Sequence, residues 1–162
     1  SPAPRSSGSP PPSDQEVSLP THTASSTVVV DAPLDSVLEH LRAVEATPEW
    51  VPDIKEVEVA TRNDDGTPLT AHVAASTAVG TDRYTLGYQH SATGMSWNLI
   101  EGRLQTGQDA EYVLRPLDGD RTEVTFTLTI SHNLPLPGFI RSRTIKGLVA
   151  NNTNGLVGHF AH

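Results

Sequence analysis

Residues Thr122 to Ile130 read T-E-V-T-F-T-L-T-I, and this stretch decides the fold. Threonines alternate along it with the apolar side chains of Val124, Phe126, Leu128 and Ile130. A strict period of two is typical of a β-strand that buries one face and exposes the other. A proline-containing loop and then about two dozen residues with helical spacing follow. The chain is therefore predicted to end with a half-buried strand and a long helix, an arrangement that encloses a pocket when the sheet is curved.

The composition is that of one domain and excludes several kinds of chemistry. A chain of 162 residues is long enough for one hydrophobic core. It contains no cysteine, which excludes disulfides, thiolate metal sites and a cysteine nucleophile. No run of apolar residues reaches the 18 or so that cross a bilayer. We therefore expect a cytoplasmic protein without stable membrane insertion.

Charge is distributed unevenly along the sequence. Between Ser25 and Glu123, seventeen acidic residues stand against seven basic ones, a balance of −10. After Glu123 no acidic residue occurs, and Arg141, Arg143 and Lys146 form a basic cluster that we interpret as a solvated helix face. An acidic body argues against nucleic acid as a partner, because phosphate contacts need a basic surface.

The N-terminal segment differs in composition from the rest of the chain. Residues 1–24 contain six prolines and six serines, with few large apolar side chains. Such a segment buries too little apolar surface to offset the entropy lost on ordering. We predict a disordered tail over residues 1–24 and a folded domain over residues 25–162.

The domain is predicted to begin with a strand and two short helices. Ser25 to Val30 is rich in β-branched residues and predicts a strand. Leu34 to Val44 has apolar residues at helical spacing. Thr47 and Pro48 are suited to the N-cap and first position of a second short helix.

Six more strands are predicted after the helices, separated by turn signals such as Asn63 to Gly66. Leu104 to Asp109 is interpreted as a glycine-containing connection between two of them. The short spacing favours an antiparallel meander, because parallel strands need long crossovers. The predicted strands are Ile54–Thr61, Leu69–Val79, Tyr84–His90, Met95–Ile100, Ala110–Leu114 and Thr122–Ile130.

The last predicted helix contains an unusual polar stretch, Asn151 to Gly155, made of poor helix formers. Either the helix kinks there, or it ends and restarts. The stretch fits the polar wall of a cavity, and the alternative is a poorly formed surface turn.

The order of elements resembles the START-like superfamily, which is also called the polyketide cyclase/dehydrase and lipid transport family and shares the Bet v 1-like helix-grip fold. The resemblance covers Ser25 to Phe160 and is carried by V-V-V-D-A-P-L-D-S-V, P-E-W-V-P, M-S-W-N-L-I-E-G and T-E-V-T-F-T-L. It implies an α+β fold in which a curved antiparallel sheet of about seven strands wraps around the C-terminal helix. It also implies a deep apolar cavity between the two.

Candidate ligand-binding residues are those on strand and helix faces that we expect to point inward. For each aromatic side chain the alternative is ordinary core packing. His90 shares strand parity with Tyr84 and Tyr88, so His90 and Tyr88 are the candidate catalytic residues, and the alternative for His90 is a solvated strand end. The candidates are Trp50, Tyr84, Tyr88, His90, Trp97, Tyr112, Phe126, Ile145, Leu148 and Asn152.

Motifs of other catalytic classes are missing from the sequence. Seven histidines occur, but none forms an H-x-H or H-E-x-x-H pattern, so no metal site is predicted. There is no G-x-S-x-G or phosphate-binding glycine motif, so neither a serine nucleophile nor a cofactor is predicted.

The sequence favours binding of a hydrophobic small molecule, such as a polyketide, another aromatic natural product or a lipid. Carriage, sequestration and self-protection in natural-product metabolism are all compatible with it. The alternative is a polyketide aromatase/cyclase that acts in the same cavity, and whether the protein is an enzyme stays open. A structural interaction domain is a further alternative and predicts a filled interior. The oligomeric state is not predicted.

Overall fold

The computed structural model describes residues 21–77, 80–132 and 138–161, with no side chain described for residues 132 and 138–144. Most of the predicted tail, residues 1–20, lies outside these ranges. The loop at residues 133–137 and the predicted end of the third strand, residues 78–79, also lie outside them.

Seven strands and two α-helices make up the described chain, together with a short 3-10 helix. The helices are α1 (Leu34–Arg42), the 3-10 helix (Val44–Glu49) and α2 (Gly138–His159). The strands are β1 (Thr21–Val30), β2 (Ile54–Arg62), β3 (Pro68–Thr77), β4 (Gly80–Ser91), β5 (Gly94–Gly102), β6 (Gln105–Pro116) and β7 (Thr122–His132).

The strands form one antiparallel sheet in the order β1-β7-β6-β5-β4-β3-β2. Strands β2 to β7 follow one another as hairpins, while β1 pairs with β7 at the far edge. Helix α2 packs against β1 and β7, on the concave side of the sheet. The predicted α+β helix-grip fold with its antiparallel meander is confirmed.

Strand β7 shows the alternation that its sequence predicts. Val124, Phe126 and Leu128 are buried, while the threonines between them point outward and meet hydroxyls of β1. Thr125 Oγ1 lies 3.0 Å from Thr27 Oγ1, and Thr129 Oγ1 lies 2.9 Å from Thr23 Oγ1. One face of β7 therefore belongs to the core, and the other carries a ladder of paired hydroxyls.

The domain begins earlier than predicted. Residues Thr21 to Ala24 form the first part of β1 and pair with Ser131 to Leu128. The predicted boundary at residue 24 is wrong because these four residues extend the ladder with β7, a long-range pairing that composition does not reveal.

Two local predictions are also wrong. Gln105 to Asp109 belongs to β6 and is not a connection, because the ladder with β7 continues past a bulge between Gln105 and Gly107. Thr47 and Pro48 lie inside the 3-10 helix and do not begin a new one. The Thr47 hydroxyl donates 2.7 Å to the carbonyl oxygen of Val44 and stabilises that turn.

Helix α2 is a single α-helix through the Asn-rich stretch. Thr153 is 1% exposed, and its hydroxyl donates to the Val149 carbonyl oxygen at 3.1 Å. Gly155 lies so close to the end of the 3-10 helix that a Cβ there would overlap the carbonyl oxygen of Trp50. Burial and close contacts thus account for these poor helix formers, and the helix does not end and restart at this stretch.

Candidate ligand-binding cavity

A cavity of about 500 Å³ lies between the concave face of the sheet and α2. Its wall is mainly apolar, with contributions from six strands, β2 to β7, and from α2. Residues that supply apolar surface are Ile54, Val57, Val73, Ala75, Tyr84, Leu86, Tyr88, Trp97, Leu104, Phe126, Leu128, Ile130, Ile145 and Leu148. The structure therefore lacks the filled interior that a purely structural interaction domain predicts.

Aromatic rings form a continuous part of the wall. The Trp97 ring lies 5.9 Å from Tyr88 and 5.8 Å from Phe126 between ring centroids. These rings come from β4, β5 and β7 and give broad apolar area on rigid strands. Seven predicted binding residues line the cavity: Tyr84, Tyr88, Trp97, Phe126, Ile145, Leu148 and Asn152.

Tyr112 and Trp50 were predicted to bind ligand but pack behind or beside the wall. Tyr112 is 2% exposed and stacks on Phe126 with ring centroids 4.3 Å apart. Phe126 lines the cavity, but Tyr112 does not. The centroid of the Trp50 ring lies 4.8 Å from that of His40, and Trp50 also packs closely against Gly155. Both side chains support the fold, which is the core-packing alternative.

His90 takes neither of the positions considered from sequence. It is half-buried, and its Nε2 lies 2.7 Å from the carbonyl oxygen of Pro68. The ring stacks at 6.4 Å on Tyr88, which does line the cavity. Of the two candidate catalytic residues, only Tyr88 is at the cavity surface.

The Asn-rich stretch of α2 does supply polar groups to the wall. Asn151 and Asn152 both line the cavity. Asn151 Nδ2 donates to Asp53 Oδ2 at 2.7 Å, which ties α2 to the segment before β2. Asn152 Nδ2 donates to the Leu148 carbonyl oxygen at 2.7 Å. The cavity-wall interpretation of this stretch therefore agrees with the structure.

Among the polar residues of the wall that the sequence did not predict, three lie on β4 and β6: Asp82, Gln105 and Gln108. We call them the polar wall. Asp82 is 1% exposed and Gln108 is 6% exposed. Asp82 lies between two predicted strands, Leu69–Val79 and Tyr84–His90, and both glutamines lie within the predicted connection Leu104–Asp109. Strand parity is the signal that could have found two of them, because Asp82 is in phase with Tyr84 and Gln108 with Ala110.

Burial keeps the cavity phenols neutral. It raises the pKa of the Tyr84 hydroxyl well above its ordinary value, and the nearby Asp82 carboxylate raises it further. Burial also raises the pKa of Tyr88, with a smaller contribution from Tyr84. Both hydroxyls are therefore available as hydrogen-bond donors across the neutral pH range.

Comparison with known proteins identifies the class of this helix-grip protein. Residues 30–157 match a family model described as polyketide cyclase / dehydrase and lipid transport. The chain belongs to this family, which is part of the START-like superfamily. No protein with a curated description matches the sequence.

Solved structures share the fold at low sequence identity. A START superfamily protein from Mycobacterium smegmatis is 23% identical, with a TM-score of 0.78 over 85% of this chain and 96% of the other. The ZhuI aromatase/cyclase from Streptomyces sp. R1128 is 17% identical, with a TM-score of 0.72 over 86% and 93%. A STAR-related lipid transfer protein from Xanthomonas axonopodis is 17% identical, with a TM-score of 0.65 over 86% of each chain. In the described part of this chain, no helix is both long and apolar enough to span a membrane.

Proposed function

We propose that this protein binds a hydrophobic small molecule, such as a polyketide, another aromatic natural product or a lipid, in its internal cavity. Carriage, sequestration and self-protection are the roles that such binding serves. The observation that carries the proposal is the cavity itself, whose volume of about 500 Å³ falls within the range of small-molecule sites, roughly 300–1,000 Å³. Its wall combines aromatic and aliphatic area with a few polar groups, as such sites do.

A dose-dependent thermal shift tests the proposal. A ligand that binds only the folded state raises the free energy of unfolding by about 2.7 kcal/mol at a concentration 100 times its Kd. We expect at least one compound from a panel of aromatic polyketides, quinones and long-chain alcohols to raise the melting temperature with dose. A panel without any shift would refute ligand binding.

A matched pair of variants links the shift to the cavity. Leu148 is half-buried on the cavity wall, so Leu148→Trp places bulk where the ligand is proposed to lie. Leu69 is 41% exposed on β3, so Leu69→Trp adds the same bulk elsewhere. We expect the first variant to lose the ligand-dependent shift and the second to keep it.

A polyketide aromatase/cyclase is the second candidate. The specific observation in its favour is the neutral Tyr88 hydroxyl on the cavity wall, which could donate a hydrogen bond to a substrate carbonyl. Incubation with a poly-β-keto substrate tests it: cyclised product should form and should fall in Tyr88→Phe. Binding of the substrate without product formation would leave only the binding role.

A further inference from the structure

The polar wall is part of one hydrogen-bonded chain of side chains. Trp97 Nε1 donates to Gln108 Oε1 at 2.7 Å. Gln108 Nε2 donates to Gln105 Oε1 at 2.6 Å, and Gln105 Nε2 donates to Asp82 Oδ2 at 3.0 Å. The direction of this chain is fixed at both ends, because an indole nitrogen can only donate and a carboxylate can only accept. Both glutamine amides are therefore held in one orientation.

Asp82 keeps acceptor capacity that this chain does not use. Its carboxylate receives the Gln105 amide and, at Oδ1, the backbone N–H of Leu104 at 3.3 Å. A carboxylate offers about four acceptor positions. None of the ion pairs in the described ranges includes Asp82, which is 1% exposed and lines the cavity. A donor on a bound molecule would add a charge-assisted hydrogen bond at this buried group.

The charged groups of the wall have one sign. Within the described lining, Asp53 and Asp82 are acidic, and lysine, arginine and histidine do not occur. Like charges repel strongly where water is largely displaced. An anionic ligand head would therefore meet an unfavourable potential in this cavity.

Building on the ligand-binding function above, we propose that the polar wall selects molecules with an apolar body and a neutral hydrogen-bond donor, such as an alcohol or phenol. It selects against carboxylates, fatty acids included. The donor of the ligand binds Asp82, and its body lies against the aromatic rings of β4, β5 and β7.

Three probes with one apolar body test this selectivity on the unmodified protein: 1-methylpyrene, 1-pyrenemethanol and 1-pyrenecarboxylate. Their dissociation constants are measured by fluorescence titration at pH 7.5. We expect 1-pyrenemethanol to bind about tenfold more tightly than 1-methylpyrene, in line with a hydrogen bond to a charged group. We expect 1-pyrenecarboxylate to bind more weakly than both. This ranking does not depend on how any variant folds.

Asp82→Asn and Asp53→Asn assign the selectivity to one carboxylate. The two substitutions are chemically identical, and both residues line the cavity, but Asp53 binds Asn151 instead of the glutamine chain. We expect Asp82→Asn to reduce the preference for the alcohol over the carboxylate at least fivefold. Asp53→Asn should retain most of it. Melting curves show whether each variant is folded.

The outcomes separate this proposal from ligand binding in general. Equal affinity for all three probes, or a preference for the carboxylate, would overturn donor selection and leave the hydrophobic cavity as a binding site. An equal effect of both substitutions would overturn the assignment to Asp82. If no pyrene bound and the panel above gave no shift, the binding function and the selectivity would fail together.

Discussion

The Tyr112 hydroxyl donates a hydrogen bond of 3.0 Å to Asn152 Oδ1, which joins the middle of β6 to the middle of α2. The phenol is 2% exposed, so burial without a partner would be costly. Asparagine is a poor residue for a helix interior. Here it satisfies the phenol and returns its own amide to the Leu148 carbonyl oxygen. The contact joins α2 to the sheet beside the cavity, which Asn152 lines.

Removing the phenol oxygen should therefore destabilise the protein. In Tyr112→Phe, Asn152 Oδ1 loses its donor inside the fold, and we expect the free energy of unfolding to fall by about 1–3 kcal/mol. Urea denaturation measures the change. In a double-mutant cycle with Asn152→Ala, the two effects should couple by about 0.5 kcal/mol or more. If the changes in the free energy of unfolding caused by the two substitutions simply add, this hydrogen bond does not link β6 to α2.

The sequence predicts those parts of the fold that depend on local periodicity. Val124, Phe126 and Leu128 alternate with threonines, and β7 follows from that pattern alone. Gln108 was missed because Gly107 and the neighbouring bulge interrupt the alternation of β6. Asp82 was missed because an acid two residues after a glycine is typical of a turn as much as of a strand.

The continuity of α2 could not be predicted for a different reason. Gly155 lowers helix propensity, and only its contact with Trp50, more than a hundred residues away, explains its presence. The same holds for the cavity wall, where the last helix supplied three of the predicted lining residues and strand parity identified the other four. It could not distinguish Tyr112, in the layer behind the wall, from Trp97 at its surface.

Gly155→Ala should be strongly destabilising. Its new Cβ would overlap the Trp50 carbonyl oxygen, and backbone cannot yield as a side-chain end can. Overpacking of this kind costs about 1–3 kcal/mol. Gly147→Ala is the matched control on α2, because a Cβ there meets nothing within 4 Å. That substitution should stabilise the helix by up to about 1 kcal/mol. Equal effects of the two substitutions on thermal unfolding would disprove the close approach.

His40 should make the stability depend on pH. Burial, and to a lesser extent the His159 ring stacked at 3.8 Å, lower the pKa of His40 from 6.5 to about 4. The unfolded chain therefore binds a proton below pH 6.5 that the folded protein does not bind. The contribution of His40 to the free energy of unfolding is therefore fully present above pH 6.5. It is lost progressively as the pH falls below 6.5, and the loss levels off near pH 4. Melting temperatures measured from pH 7.5 to pH 4 follow the loss.

Carboxylates also titrate toward pH 4, so the comparison with a variant carries the test. His40→Phe keeps an aromatic ring beside Trp50 but cannot bind a proton, and the Nε2 atom that it removes is buried without a hydrogen-bond partner among the described residues. Its melting temperature should fall less than that of the unmodified protein between pH 6.5 and pH 4. His159→Gln removes only the effect of the neighbouring ring on the pKa of His40. The decrease in its melting temperature should therefore lie between those of the other two proteins. Parallel profiles for all three proteins would contradict the role of His40.

The two tryptophans provide an internal test of where the ligand binds. Trp97 lines the cavity and donates its indole N–H to Gln108 Oε1, whereas Trp50 packs on His40 away from the cavity wall. In a ¹H–¹⁵N correlation spectrum each indole gives one Nε1–H signal, and Trp50→Phe assigns them. Titration with 1-pyrenemethanol should move the Trp97 signal and leave the Trp50 signal nearly unchanged, because Trp97 lines the proposed site and donates to the glutamine chain, whereas Trp50 does neither. A ligand that moved only the Trp50 signal would bind outside the cavity, near α1 and the end of α2.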